Sequence, residues 1–293
     1  MVTSGQYNFQ IIDNTLFSRD KTEIYSRNFK IGGTYPDCVN ISVIYENNTP
    51  VDACMPNLFS DPECSFIQLL DKGDGTIRMI KTLLTYVYTQ LPTLACVKFD
   101  DKSSIERATK EELKKGSRFR KRGTYVKPIP LYYFSILFNG QTWYEKHFNA
   151  KQKDDVRHQL YRTRVDDFLN SKEFKTNMGF DKFVSLFDKR EEEMSVLYQY
   201  YKSSNTFYEF FRAIPIDDRC RLVGPWIEQF TKIILKDVFY NENWIITLPL
   251  EMNGGNKIKT RNNKSIKYYC PKGVFTNTFR TKNICISPDD LHP

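Results

Sequence analysis

Apolar and polar positions alternate in short runs over residues 1–62: QIID, VNISVIY and a shorter YNF. Turn residues separate the runs, at Gly32-Gly33, Pro36-Asp37 and Asn47-Asn48-Thr49-Pro50. A period of two broken by such turns predicts antiparallel strands. CSFIQLLD at 64–71 reads as a further strand, and Lys72-Gly73-Asp74-Gly75-Thr76 follows it as a turn. Ile77, Ile80, Leu84, Val87 and Leu91 then recur at helical spacing up to Pro92, which predicts an amphipathic helix. Thr93 to Phe99 reads as a strand. Strand, glycine turn, helix and strand together predict a parallel crossover.

The pattern changes after residue 100. Ser103 and Glu106 have the spacing of a capping box, which predicts a short helix to about Lys115. The apolar run LYYFSILF at 131–138 reads as a buried strand. Asn139-Gly140 turn the chain, and a second capping box, Thr142 with Glu145, opens a helix through TWYEKHFNA. Helical periodicity covers 151–170, 181–202, 206–213 and 217–240, with Pro225 suited to the first turn of the last. WIITLPL, SIKYYC and NICIS near the end read as short strands. The expected fold is α+β, with a mixed-sheet α/β region at 1–150, a helical region at 151–243 and a basic β-rich segment at 244–293.

Composition narrows the function classes. No apolar stretch approaches the length of a membrane-spanning helix, and the N-terminus MVTSGQYNFQIIDN lacks the features of a signal peptide. The seven cysteines (38, 54, 64, 96, 220, 270, 285) form no CxxC pair, and there are three histidines. We therefore expect no metal site, reduced thiols and a cytoplasmic location. Cys96, in an apolar strand, reads as inert core. His147 and His158 share a helix face only if one helix runs through both.

The net charge of +8 comes from two local runs. Lys114, Lys115, Arg118, Arg120, Lys121 and Arg122 form the first, in an apparent loop. Lys257, Lys259, Arg261, Lys264, Lys267 and Lys272 form the second. Neither run holds an acidic residue, and the rest of the chain has 31 basic against 35 acidic residues. With Phe119, Tyr125, Tyr268 and Tyr269 interleaved, these runs are candidates for contacts to RNA or DNA. The plain alternative is a solvated loop and tail.

Gly73, Asp74, Gly75 and Thr76 offer a second candidate. Glycines between a strand and a helix let the backbone approach a ligand, and a helix N-terminus favours a phosphate. The plain alternative is a tight turn with no ligand. Strand, G-x-G/A and amphipathic helix resemble the acyl-CoA-binding segment of the GNAT N-acetyltransferase superfamily, with Gly73 and Gly75 at its last two fixed positions. Tyr144-Glu145-Lys146 and Phe148 are similar to the family's Y-E-K-x-G-F signature, with His147 in place of the glycine. The resemblance spans about residues 30–150. It implies acetyl-CoA held on the amides of Gly73 to Thr76 and Tyr144 as general acid toward the leaving thiolate. An acidic residue beside the strand, Glu63 or Asp61, would serve as base through water. The plain reading of Trp143, Tyr144 and Phe148 is core, with Glu145 a cap.

Three functions stay open: an acyl-CoA-dependent N-acyltransferase, an inactive structural or interaction protein of the same fold, and an RNA- or DNA-binding accessory protein. Leu70 and Asp74 depart from the family pattern and motivate the second. With 20 Asn against 5 Ala, the chain also resembles proteins of large nucleocytoplasmic DNA viruses, which implies host cytoplasm or virion.

Overall fold

The computed structural model describes residues 2–4, 7–17, 24–33, 38–58, 75–100, 104–105, 129–186, 191–224, 226–235 and 244–250. Among them, one mixed sheet of eight strands has the order β1-β2-β3-β4-β5-β6-β10-β9. Its strands are β1 (Val2–Ser4), β2 (Tyr7–Phe17), β3 (Ile24–Gly32), β4 (Val39–Glu46), β5 (Thr49–Leu58), β6 (Cys96–Phe99), β9 (Lys151–Gln152) and β10 (Trp244–Thr247). The first five form an antiparallel meander, as the period-two pattern predicts. Asn47 and Asn48 both have positive φ, the requirement of a tight hairpin turn between β4 and β5.

The ladder sorts side chains onto two faces. Phe29 stands opposite Asp13 and Ile41, and Ile31 stands opposite Ile11 and Val39. Phe29, Ile31, Val39 and Ile41 are fully buried. Helix α1 (Gly75–Gln90) covers this face with Met79, Ile80, Leu83, Leu84 and Val87, and Tyr86 meets Phe29 edge-on at 6.1 Å. The opposite face carries a polar row of Asn14, Asn28, Ser42, Cys54 and Lys98. Ser42 donates to Asn28 at 2.6 Å, and Lys98 pairs with Asp52 at 2.7 Å.

The crossover exists, and its incoming strand is β5: β5 and β6 pair in parallel, with α1 between them in sequence. The strand expected at 64–71 lies outside the described residues. Helix α1 follows the predicted periodicity and ends at Gln90, before Pro92.

Other expectations are corrected. Residues 131–138 are not a strand; they form helix α2 (Leu131–Asn139). Tyr133 to Phe138 are all buried. A run broken only by Ser135 has no period to separate helix from strand. Near the first capping box, Ser104–Ile105 is a short strand, β7, paired with Ile129–Pro130, β8. Residues 106–128, with the rest of that expected helix, lie outside the described set.

Seven further helices follow: α3 (Trp143–Phe148), α4 (Asp155–Asn170), α5 (Lys172–Ser185), α6 (Glu191–Lys202), α7 (Phe207–Ala213), α8 (Ile216–Leu222) and α9 (Ile227–Leu235). The spans expected at 181–202 and 217–240 each divide in two. Helix α4 starts later than expected because Asp154 caps it, accepting from the N–H groups of Val156 and Arg157. Gly179 breaks the geometry inside α5, with φ 63° and ψ 161°, a conformation open essentially to glycine alone.

The helices pack around aromatic rings. Phe183 touches the rings of Phe180, Tyr201, Phe207, Phe210, Trp226 and Phe230, all within 6.1 Å between centroids. This half joins the sheet through Trp244 of β10, whose ring meets Tyr161 of α4 at 5.7 Å. The boundaries expected at 150/151 and 243/244 thus fall between strands of one sheet. No helix among the described residues is long and apolar enough to cross a membrane.

Candidate functional site

The parallel pair is short. Its ladder consists of Cys54 opposite Lys98 and Met55 opposite Phe99. β6 stops at Phe99, while β5 continues to Leu58 beside β4. Ligands of parallel sheets commonly bind outside the carboxyl ends of adjacent strands. Helix α1 joins the two strands of this pair in sequence and packs on β1, β2 and β3.

Gly75 and Thr76, two of the four residues assigned to cofactor binding, form the first two positions of α1 and are buried. Thr76 is 5% exposed, and its hydroxyl has no hydrogen-bond partner. A buried hydroxyl without a partner is costly, so such a group at a helix N-terminus is suited to a ligand acceptor. The helix dipole makes an anion the favoured acceptor. Gly73 and Asp74 lie outside the described residues, as do Glu63 and Asp61. So do the twelve basic residues of the two runs, 114–122 and 257–272.

Tyr144 is brought to the end of β6. Its ring packs on Phe99, the last residue of β6, at 4.4 Å and meets Trp143 at 5.0 Å and Phe148 at 6.0 Å. It is 3% exposed. The local reason is the capping box that starts α3. Glu145 N–H donates to Thr142 Oγ1 at 3.2 Å, and Thr142 N–H donates to Glu145 Oε2 at 2.6 Å. Asn149, with φ 52°, ends the helix after two turns. His147 and His158 therefore lie on separate helices.

Glu145 does more than cap. Tyr161 Oη donates to its Oε2 at 2.8 Å, and Arg162 reaches its Oε1 at 3.3 Å while also donating to the Gly140 carbonyl at 2.7 Å. Burial pushes the Glu145 carboxyl up, against the Thr142 N–H, Arg162 and Tyr161, which favour the carboxylate. Burial likewise raises Tyr161 well above its ordinary range, with the Glu145 charge adding to it. With Oε2 taken by Thr142 and Tyr161 and Oε1 by Arg162, this carboxylate positions α3 against α4. The sequence revealed the cap and missed the network, because Tyr161 and Arg162 lie too far along the chain for a motif to link them.

His147 is held neutral: burial, then the charges of Lys146 and of Lys81 on α1, bring its pKa down to about 4. The ring sits 5.2 Å from Trp143. His158 is lowered by burial first, and it accepts at Nδ1 from Gln152 N–H at 3.3 Å.

The cysteines depart from expectation. Cys38 and Cys54 are disulfide-bonded, so the thiols are not all reduced. Cys96 is free and half-buried rather than core. Among the described residues no group of three or more His, Cys, Asp or Glu side chains is placed to hold a metal ion.

Comparison with known proteins finds no matching family model, no matching curated protein and no matching solved structure.

Proposed function

We propose that the chain is a GNAT-like acyl-CoA-binding protein acting as an N-acyltransferase, with the anionic diphosphate of the cofactor at the N-terminus of α1. The observation that carries this reading is Thr76: a buried, unpartnered hydroxyl on the first turn of the helix that joins two parallel strands. The antiparallel meander leading into that pair supports it, as does the position of Tyr144 against Phe99 at the end of β6. In this reading Tyr144 protonates the departing thiolate, and the acceptor amine loses its proton through water to an acidic residue, Glu63 or Asp61.

The inactive alternative is favoured by one fact: Tyr144 is packed among Phe99, Trp143 and Phe148 as a core residue would be. The two readings separate in one set of measurements. Calorimetric titration with acetyl-CoA at low salt is expected to show binding, weakened about 10- to 150-fold in Thr76→Val, since a hydrogen bond to a charged group contributes about 1.5–3 kcal/mol. No heat at millimolar ligand would remove acyl-CoA from the reading. Binding without turnover on any amine, unchanged in Tyr144→Phe, would select the inactive protein.

A further inference from the structure

Strand β2 is paired along only part of its outer edge. β1 covers that edge at Tyr7, Asn8 and Phe9. From Gln10 to Phe17 the strand's one partner among the described residues is β3. One bond fixes which way the backbone groups point: Cys38 N–H donates to the Ile31 carbonyl at 3.0 Å, so Ile31 faces β4. The backbone groups of successive strand residues point to alternate sides. Phe29 and Arg27 therefore also face β4, while Lys30, Asn28 and Ser26 face β2. Their partners Ile12, Asn14 and Leu16 face β3 in return. The N–H and C=O groups of Ile11, Asp13, Thr15 and Phe17 are thus turned outward. The edge is accessible: Leu16 is 46% and Phe17 53% exposed, and Gln10 and Asn14 are exposed as well. An edge strand is ordinarily kept from pairing by lysine, proline or an unpaired charge. Residues 10–17 hold no lysine and no proline, and their one charge, Asp13, is taken by Arg27 through two bonds.

We infer that this edge pairs antiparallel with the same edge of a second copy of the chain, about a two-fold axis at Asn14. The argument is the self-complementarity of the segment QIIDNTLF in that register. A two-fold axis across a shared antiparallel ladder sets residues of the same face opposite one another, so the axis falls on a residue. Centred on Asn14, the ladder sets Leu16 opposite the partner's Ile12, Phe17 opposite the partner's Ile11 and Thr15 opposite the partner's Asp13. Each apolar side chain then meets an apolar one, and the two Asn14 amides meet each other. Centred on Asp13, it sets the two carboxylates against each other and Ile12 against the partner's Asn14, which is unfavourable. Centred on Thr15, it sets Leu16 against the partner's Asn14 and Phe17 against the partner's Asp13. Centred on Ile12, it leaves the exposed Leu16 and Phe17 without partners. In the Asn14 register the outward backbone groups of Asp13 bond those of the partner's Thr15, and those of Ile11 bond those of the partner's Phe17. β1 occupies the same edge from Phe9 onward and ends the shared ladder there, so the contact is Ile11 to Phe17 of each copy. The two sheets become continuous, with both α1 helices on one face.

Sedimentation equilibrium of the full chain tests this. A single strand pair is a small contact, at the weak end of specific interfaces, so the measurement is made at about 100 μM chain. The expected result is twice the mass of one chain. Thr15→Pro removes an outward N–H and leaves the ladder to β3 intact, so a monomer with an unchanged unfolding midpoint is expected. Asn14→Asp and Asn14→Lys, at an exposed position, should each weaken dimerisation about 5-fold, because like charges then face each other across the axis. An equimolar mixture of these two variants should dimerise more tightly than either alone. Only a ladder that brings position 14 against itself gives this rescue, and a misfolded variant cannot show it. A native chain that is monomeric at this concentration would overturn the inference and leave the edge to a strand of another protein. A dimer indifferent to all three substitutions would overturn it by placing the contact on another surface. Failure of the mixture to exceed its components would overturn the pairing at Asn14.

Discussion

The sheet and the helical half bury their side chains by different rules. Along β4 burial alternates: Val39, Ile41 and Val43 are inside, while Asn40, Ser42 and Ile44 lie on the other face. Each strand shares its load with cross-strand neighbours, and a charge pair is fitted among them. Arg27 donates to Asp13 through two bonds of 2.8 and 2.6 Å and lies 4.9 Å over the Phe29 ring. In the helical half burial comes in blocks, and one cluster of rings around Phe183, Phe207 and Phe230 serves five helices. With few alanines available, phenylalanine fills the space between helices. A sheet row therefore tolerates the loss of one member better than the ring cluster does.

The largest expected effect tests that contrast. Phe183→Ala should destabilise the protein by about 3–5 kcal/mol, because the surrounding rings collapse only in part. Denaturant unfolding measures it, and a loss under 1 kcal/mol would mean the cluster repacks like a fluid. An intermediate effect concerns α3, where the two halves meet. The unfolded chain protonates His147 near pH 6.5, while the folded ring stays neutral down to about 4. Stability present above pH 6.5 is thus lost as pH falls toward 4. Allowing for the ring's partial contact with solvent, the loss is about 1–2 kcal/mol. His147→Gln should remove this part of the acid sensitivity; parallel pH profiles for the two proteins would refute the assignment. The smallest effect is in the sheet. Arg27→Met removes the partner of Asp13 at a part-exposed site and should cost about 1 kcal/mol. A cost near that of Phe183→Ala would erase the distinction between the halves.

Local signals were legible in the sequence wherever a period or a cap existed. The meander, helix α1 and the Thr142–Glu145 box are local features, and each stands where the spacing puts it. LYYFSILF had no period, and the surroundings decided that it is a helix. The breaks between α5 and α6 and between α8 and α9 are likewise absent from the periodicity. For the candidate site, Gly75, Thr76 and Tyr144 could be named in advance as residue types at a turn and on a capped helix. That α1 joins two parallel strands, and that Tyr144 packs on the last residue of one of them, only the tertiary structure shows.

The chain by itself determined its local elements, because alternation, helical spacing and side-chain caps act within a few residues. Tertiary structure alone decided three further things. It placed Tyr161 and Arg162 on Glu145, since a buried carboxylate takes whatever donors the packing supplies. It left the Thr76 hydroxyl buried without a partner. It also set Cys38 and Cys54 too far apart to bridge each other, because ladder register, and not separation along the chain, fixes which cysteines can meet.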